Sequence, residues 1–170
     1  MNETTFETIN ELIAAKQFEE AKELLGQSIS SDEKDVEALK LLGLCNVNLG
    51  LFKEGQSNFE TVVKYKNEDA TSWFYLANCY DNLNDARRAK AAYLQVINLR
   101  ENYLDAYKNL GVLYLKSEEH NKAFEIAQKA LTLSDEDYLF YFLAGTSLLA
   151  AKKFEESINY FEQAIKFNPK

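Results

Sequence analysis

Histidine occurs once in this sequence and cysteine twice, and neither a glycine-rich phosphate loop nor a metal-ligand spacing occurs at all. His120 is flanked by Glu118, Glu119, Asn121 and Lys122 at the start of a helix, so it reads as a solvated turn residue. A Ser-His-acid or Cys-His arrangement would need that one imidazole beside Cys45, Cys79 or a serine, which the chain places elsewhere. The expectation is therefore a non-enzyme with no metal and no cofactor. Basic charge is also short, with 19 lysines and arginines against 27 acids and a net charge of −8, which repels phosphate backbones and excludes nucleic acid as a partner. The longest apolar runs, Leu139 to Gly145 and Thr146 to Ala151, fall well below the roughly 20 residues of a membrane span. The opening M-N-E-T-T-F-E-T-I-N has neither a basic stretch nor an apolar segment, so no secretory signal is read and a cytoplasmic location is expected.

What the chain does have is a period. Trp73, Leu76, Ala77 and Tyr80 recur at helical spacing and line one face of a helix; Ala89 and Tyr93 do the same on a second helix after a polar break at Asn82 to Asp85. Gly43, Ala77, Gly111 and Gly145 step by 34 residues, and so do Ala21, Gly55, Ala89, Ala123 and Ser157. A fixed stride of this length signals stacked helix pairs.

Trp73-x2-Leu76-Ala77-x2-Tyr80 with Ala89-x3-Tyr93 resembles the tetratricopeptide repeat. Tyr107-x2-Leu110-Gly111-x2-Tyr114 with Ala123 is similar, as is Leu39-x2-Leu42-Gly43 with Phe52, Gly55 and Phe59; the family's proline position is filled only by Pro169. The resemblance implies an all-α, right-handed α-solenoid of antiparallel helix pairs: ten helices in a single domain, with repeats at residues 2–35, 36–69, 70–103, 104–137 and 138–170. Cys45 and Cys79 then occupy the same position on neighbouring first helices. A disulfide needs Cα atoms within about 7 Å, closer than helix axes usually pack, so both are expected to be reduced.

Along the chain, helices are expected over Thr4 to Ala15, Phe18 to Ile29, Val36 to Leu49, Phe52 to Tyr65 and Phe154 to Phe167, with Gly50 closing the third. Thr5 and Thr8 stand where Trp73 and Leu76 stand in the third repeat, which marks a repeat with no predecessor. The segment 30–35 supplies a polar loop and a helix cap; Asn102 with Asp105, and Ser134 with Asp137, resemble capping boxes that open the fourth and fifth repeats. The last helix carries Phe154, Ile158, Tyr160, Phe161, Ile165 and Phe167 without a polar helix after it, so an open apolar flank is expected, with Ile158, Tyr160, Phe161 and Phe167 the candidates for self-association, as a homodimer or as continuation into further repeats.

In the family, ligands contact set positions of the first helices on the concave side. Carried onto this sequence, that implies a groove of Lys40, Asn48, Phe74, Asn78, Asn82, Lys108, Asn109, Val112, Leu115, Lys116, Phe142 and Thr146, in which asparagines bond a peptide backbone and lysines attract carboxylates. The family's carboxylate clamp for chaperone tails is broken, since Leu44, Asp105 and Asn109 replace an asparagine, a lysine and an arginine. The leading expectation is a scaffold that holds a protein or peptide segment, with no membrane partner. The alternatives are a self-assembly module and a regulatory arm of a larger protein.

Overall fold

The computed structural model describes residues 3–29 and 35–168, and among these every regular element is a helix. Ten are formed: α1 (Glu3–Ala14), α2 (Phe18–Ile29), α3 (Val36–Asn48), α4 (Phe52–Tyr65), α5 (Ala70–Asn82), α6 (Ala86–Leu99), α7 (Leu104–Lys116), α8 (His120–Leu131), α9 (Tyr138–Ala150) and α10 (Phe154–Phe167). The expected helix limits hold to within one residue. The expected polar loop, apart from Asp35, and Pro169 lie outside the described residues. None of the described helices is long and apolar enough to cross a membrane.

Each pair turns over in three residues, and the middle one is left-handed: Lys16 (φ 60°), Gly50 (φ 75°), Asn84 (φ 61°), Glu118 (φ 59°) and Lys152 (φ 62°). The amide after it reaches back five residues, Gln17 to the Leu12 carbonyl at 2.8 Å, Leu51 to Asn46 at 2.8 Å and Glu119 to Tyr114 at 2.9 Å, for example. This bond and the one from the left-handed residue's own amide satisfy carbonyls that the helix end would otherwise leave open. The expectation for Gly50 is met, and the same turn is built four more times without glycine.

Between pairs the device is a carboxylate cap. Asp35 accepts from the Ala38 amide at 3.0 Å, Asp69 from Thr71 and Ser72 at 3.0 and 3.3 Å, and Asp137 from Leu139 at 3.0 Å. The expected capping box at Asn102 and Asp105 does not form: the residue capping α7 is Tyr103, which makes no side-chain cap hydrogen bond. Asn102 instead accepts from Arg100 Nε at 3.4 Å, and Asp105 takes the Lys108 ammonium at 3.3 Å. Nor does Ser134 share in capping α9; its amide donates to the Ala130 carbonyl at the end of α8, and Asp137 does the capping.

The chain divides into two compact units, Met1–Ala92 and Tyr93–Lys170, with the boundary inside α6. In the first, α2 packs on α1 and α3, and α4 on α3 and α5. Ile9, Ala21, Leu25, Ala38, Leu41 and Cys45 form its leading core cluster, with Phe6, Leu12, Ile13, Phe18 and Leu24 around them, the faces that the periodicity selects. Phe59 is fully buried and stacks on Tyr75 (5.4 Å, 13°), a burial that stabilises by roughly 2–3 kcal/mol. Burial pushes the Cys45 thiol up to about 11 and the Cys79 thiol up to about 12, and both are unpaired, as expected.

In the second unit α8 packs between α7 and α9, α9 also touches α7, and α10 covers α9. Gly111 is needed there by close approach, since a Cβ would lie 2.3 Å from Leu143 Cδ2. The register explains the crowding. Where the second repeat has Phe59, the fourth has Ala127, and Leu143 packs against Ala127 in the space that an aromatic ring fills elsewhere.

Candidate functional site

The residues singled out on the first helices fall into two sets, one in each unit. On α3 and α5, Lys40 is not open to an incoming carboxylate: its ammonium meets Asp69 Oδ2 at 2.6 Å. Burial of Asp69 opposes its ionisation, but Lys40 and the hydroxyl and amide of Ser72 outweigh that and hold its carboxyl below the usual range. Asn48 and Asn82 each donate to the carbonyl one turn back, Leu44 and Asn78, at 2.9 and 2.8 Å. Phe74 is half-buried with its ring edge against Tyr75 (5.8 Å, 72°), and Asn78 is half-buried beside it. The first unit therefore ties up much of its own polar lining.

The second unit is more open. On α7, Val112 is 42% exposed, with Lys108 and Asn109 one turn before it and exposed Lys116 one turn after. Lys108 leans on Asp105, Asn109 donates to the Tyr93 hydroxyl at 3.3 Å, and Leu115 is half-buried against the Ala127, Leu143 and Ala144 cluster. On α9, Phe142 is 55% exposed and Leu149 exposed, with half-buried Thr146 between them. Two stripes result at helical spacing, an apolar side chain bracketed by polar ones on α7 and a threonine bracketed by apolar ones on α9.

The four self-association candidates divide. Ile158 is exposed, whereas Tyr160 packs edge-on to Phe124 (5.5 Å, 87°), Phe161 lies against Phe142 (5.8 Å) and the Gly145 backbone, and Phe167 stacks on Tyr141 (5.4 Å, 20°). The open apolar surface of α10 is Phe154, Ile158 and Ile165. Ile165 also lines a cleft of 420 Å³ with Tyr138, Phe142, Phe161, Ala164 and Asn168. Ile165, one of the apolar residues expected on an open flank of this helix, shares its register position with Val63 and Ile97.

Groups suited to catalysis do not converge among the described residues. His120 is half-buried in a crevice shared with Ala151, not solvated as expected, and its Nδ1 has no hydrogen-bond partner. No group of three His, Cys, Asp or Glu side chains is placed to hold a metal ion among those residues. The densest polar network, Tyr80 donating to Glu60 at 2.8 Å with Arg88 over the Tyr80 ring at 4.4 Å, is a structural clasp; burial first, then Glu60, pushes the Tyr80 hydroxyl up to about 12.

Comparison with known proteins places this arrangement. The tetratricopeptide repeat profile matches residues 70–103, 104–137 and 138–170, three consecutive blocks at the limits set by the 34-residue period and together more than half the chain. The BBSome complex member BBS4 of Bos taurus is 22% identical over 142 residues, which is 84% of this chain but 27% of that protein, so the chain spans about a quarter of the relative's length. Among solved structures, MamA superposes with a TM-score of 0.91 at 23% identity, covering 99% of this chain and 94% of that one. YrrB, described as a TPR protein with an unusual peptide-binding site, superposes with a TM-score of 0.86 at 17% identity, covering 97% and 85%. The likeness is one of fold: an all-α solenoid of antiparallel helix pairs.

Proposed function

Because the chain belongs to the tetratricopeptide repeat family, whose fold generally serves protein–protein interaction, we propose that it is a non-catalytic scaffold that holds a peptide segment on the α7–α9 face of its second unit. The observation that carries this reading is Val112, a β-branched side chain left 42% exposed in mid-helix between Lys108, Asn109 and Lys116. An exposed apolar anchor with Lys108 one turn before it and Lys116 one turn after suits a segment with one hydrophobic side chain and flanking carboxylates. Phe142, Thr146 and Leu149 on α9 add the second stripe. A terminal carboxylate is not the feature recognised, since Leu44, Asp105 and Asn109 break the clamp that would take it.

A random library tests this without an identified partner. Phage-displayed random dodecapeptides panned on the immobilised chain are expected to enrich sequences with an apolar residue beside acids, and Val112→Glu with Lys116→Glu should weaken those binders at least tenfold. Enriched peptides that bind wild type and double variant alike would sink the reading, as would a failure to enrich.

A further inference from the structure

We propose that the cleft between α2 and the α3–α4 turn is a binding site for a phenol, supplied either as the side chain of a tyrosine in a partner segment or as a free small molecule. The site lies in the first unit, apart from the α7–α9 peptide face, and its occupancy does not depend on that face.

The cleft has a volume of 520 Å³ and is lined by Glu19, Lys22, Glu23 and Gly26 on α2 and by Leu49 and Leu51 at the turn. Its walls are internal to the unit: α2 also packs on α1, and α4 on α5. It is a gap on the flank of the helix stack and not an uncovered end.

One stride of 34 residues later, the chain fills the corresponding ground. There the Tyr80 hydroxyl donates to Glu60 at 2.8 Å, Arg88 lies over the Tyr80 ring at 4.4 Å, and Arg88 Nε donates to Asp85 at 2.6 Å. None of these four side chains is present one stride earlier: Gly26 stands for Glu60, Asn46 for Tyr80, Leu51 for Asp85 and Glu54 for Arg88. The fourth repeat keeps the pattern, with Lys122 5.6 Å from the centre of the buried Tyr114 ring and paired with Glu119 at 2.6 Å. A phenol ring is what this position of the fold takes, and the second repeat omits it.

Two observations show that the omission leaves room and an unmet polar group. A Cβ on Gly26 would meet nothing within 4 Å, so this glycine relieves no clash, although it weakens the helix that carries it. Asn46 is 2% exposed; its Nδ2 donates to Asn58 at 2.9 Å, while its Oδ1 is buried without a hydrogen-bond partner among the described residues. A buried acceptor is thus left over at the position from which Tyr80 extends its ring.

The lining supplies the matching chemistry. Glu19 and Glu23 offer carboxylate acceptors, as Glu60 does for Tyr80; Lys22 offers a cation, as Arg88 does; Leu49 and Leu51 offer an apolar floor. Two carboxylates against one ammonium disfavour an anionic ligand. A neutral aromatic ring with one hydroxyl donor meets all three requirements.

The probe is p-cresol, the tyrosine side chain without its backbone, titrated into the isotopically labelled full chain. The amide resonances of Gly26, Leu49 and Leu51 are expected to shift saturably with a Kd of roughly 1 mM, the affinity open to so small a ligand. Gly26→Leu places a side chain in the open space and favours the helix, so it should weaken binding at least tenfold while the circular dichroism stays that of wild type. Toluene, which lacks the hydroxyl, should bind at least threefold more weakly. N-acetyltyrosinamide separates the two sources: a Kd no higher than that of p-cresol assigns the site to a tyrosine of a partner segment, and a higher one to a free phenol. Absence of saturable shifts at those three amides overturns the proposal, as does p-cresol binding unchanged in Gly26→Leu or toluene binding as tightly as p-cresol.

Discussion

A left-handed backbone brings an L-residue's Cβ against its own carbonyl, at about 1–2 kcal/mol, and the chain accepts that cost at Lys16, Asn84, Glu118 and Lys152 while avoiding it at Gly50. The five sites have one geometry, so they form an internal comparison in which only the side chain varies. Gly50→Ala would meet no atom within 4 Å, which leaves the backbone as the sole source of any effect. It is expected to lower stability by about 1 kcal/mol, the steric cost less the smaller unfolded-state entropy that alanine forgoes. Lys152→Gly should raise stability by up to about 1 kcal/mol for the reverse reason. Urea titrations of the two variants check this, and shifts of the midpoint in the same direction would refute it. Asparagine at position 84 is the mildest of the four compromises, because its short polar side chain tolerates this region best.

At the scale of the helix, the period and the local chemistry were separately legible, and they disagree at one informative place. Stepping by 34 from Asp35 and Asp69 leads to Tyr103 and then Asp137. The period thus predicts a cap at a residue that makes none, while the local pattern of Asn102 and Asp105 imitates a cap one residue early. Geometry follows the period, and the imitating side chains go to Arg100 and Lys108 instead. Asp69 shows what a working cap adds, since it binds two amides of its own helix and the Lys40 ammonium of another. Its folded pKa lies below its unfolded value near 3.9, so its stabilisation is fully present above the unfolded pKa and is lost as the pH falls through the folded one. Asp69→Asn should therefore cost about 1 kcal/mol at pH 7, with the gap to wild type closing as the pH falls below the unfolded value and through the lowered folded one. Thermal melts across that range test it; a gap independent of pH would mean that the carboxylate charge contributes nothing.

For the whole molecule, one register carries opposite meanings depending on whether another helix lies over it, and this limits what the sequence can reveal about function. Periodicity picks out the candidate faces, because position within a repeat fixes which side of a helix a residue occupies. It does not say that Lys40 is spent on Asp69, or that Tyr160, Phe161 and Phe167 pack on their own neighbours, since those outcomes depend on side chains 19 to 36 residues away in sequence. Val63, Ile97 and Ile165 state the point most sharply: 8%, 7% and 63% exposed at one and the same register position. A carboxylate introduced at Val63 would have to leave water for a core with no cation in place to receive it, at roughly 3–5 kcal/mol. The same substitution at Ile165 would stay solvated and change stability by no more than about 0.5 kcal/mol. Chemical denaturation of Val63→Glu and Ile165→Glu side by side should thus separate them by several kcal/mol. Were Ile165→Glu to destabilise as strongly as Val63→Glu, the face of α10 would be covered in solution by part of the chain itself.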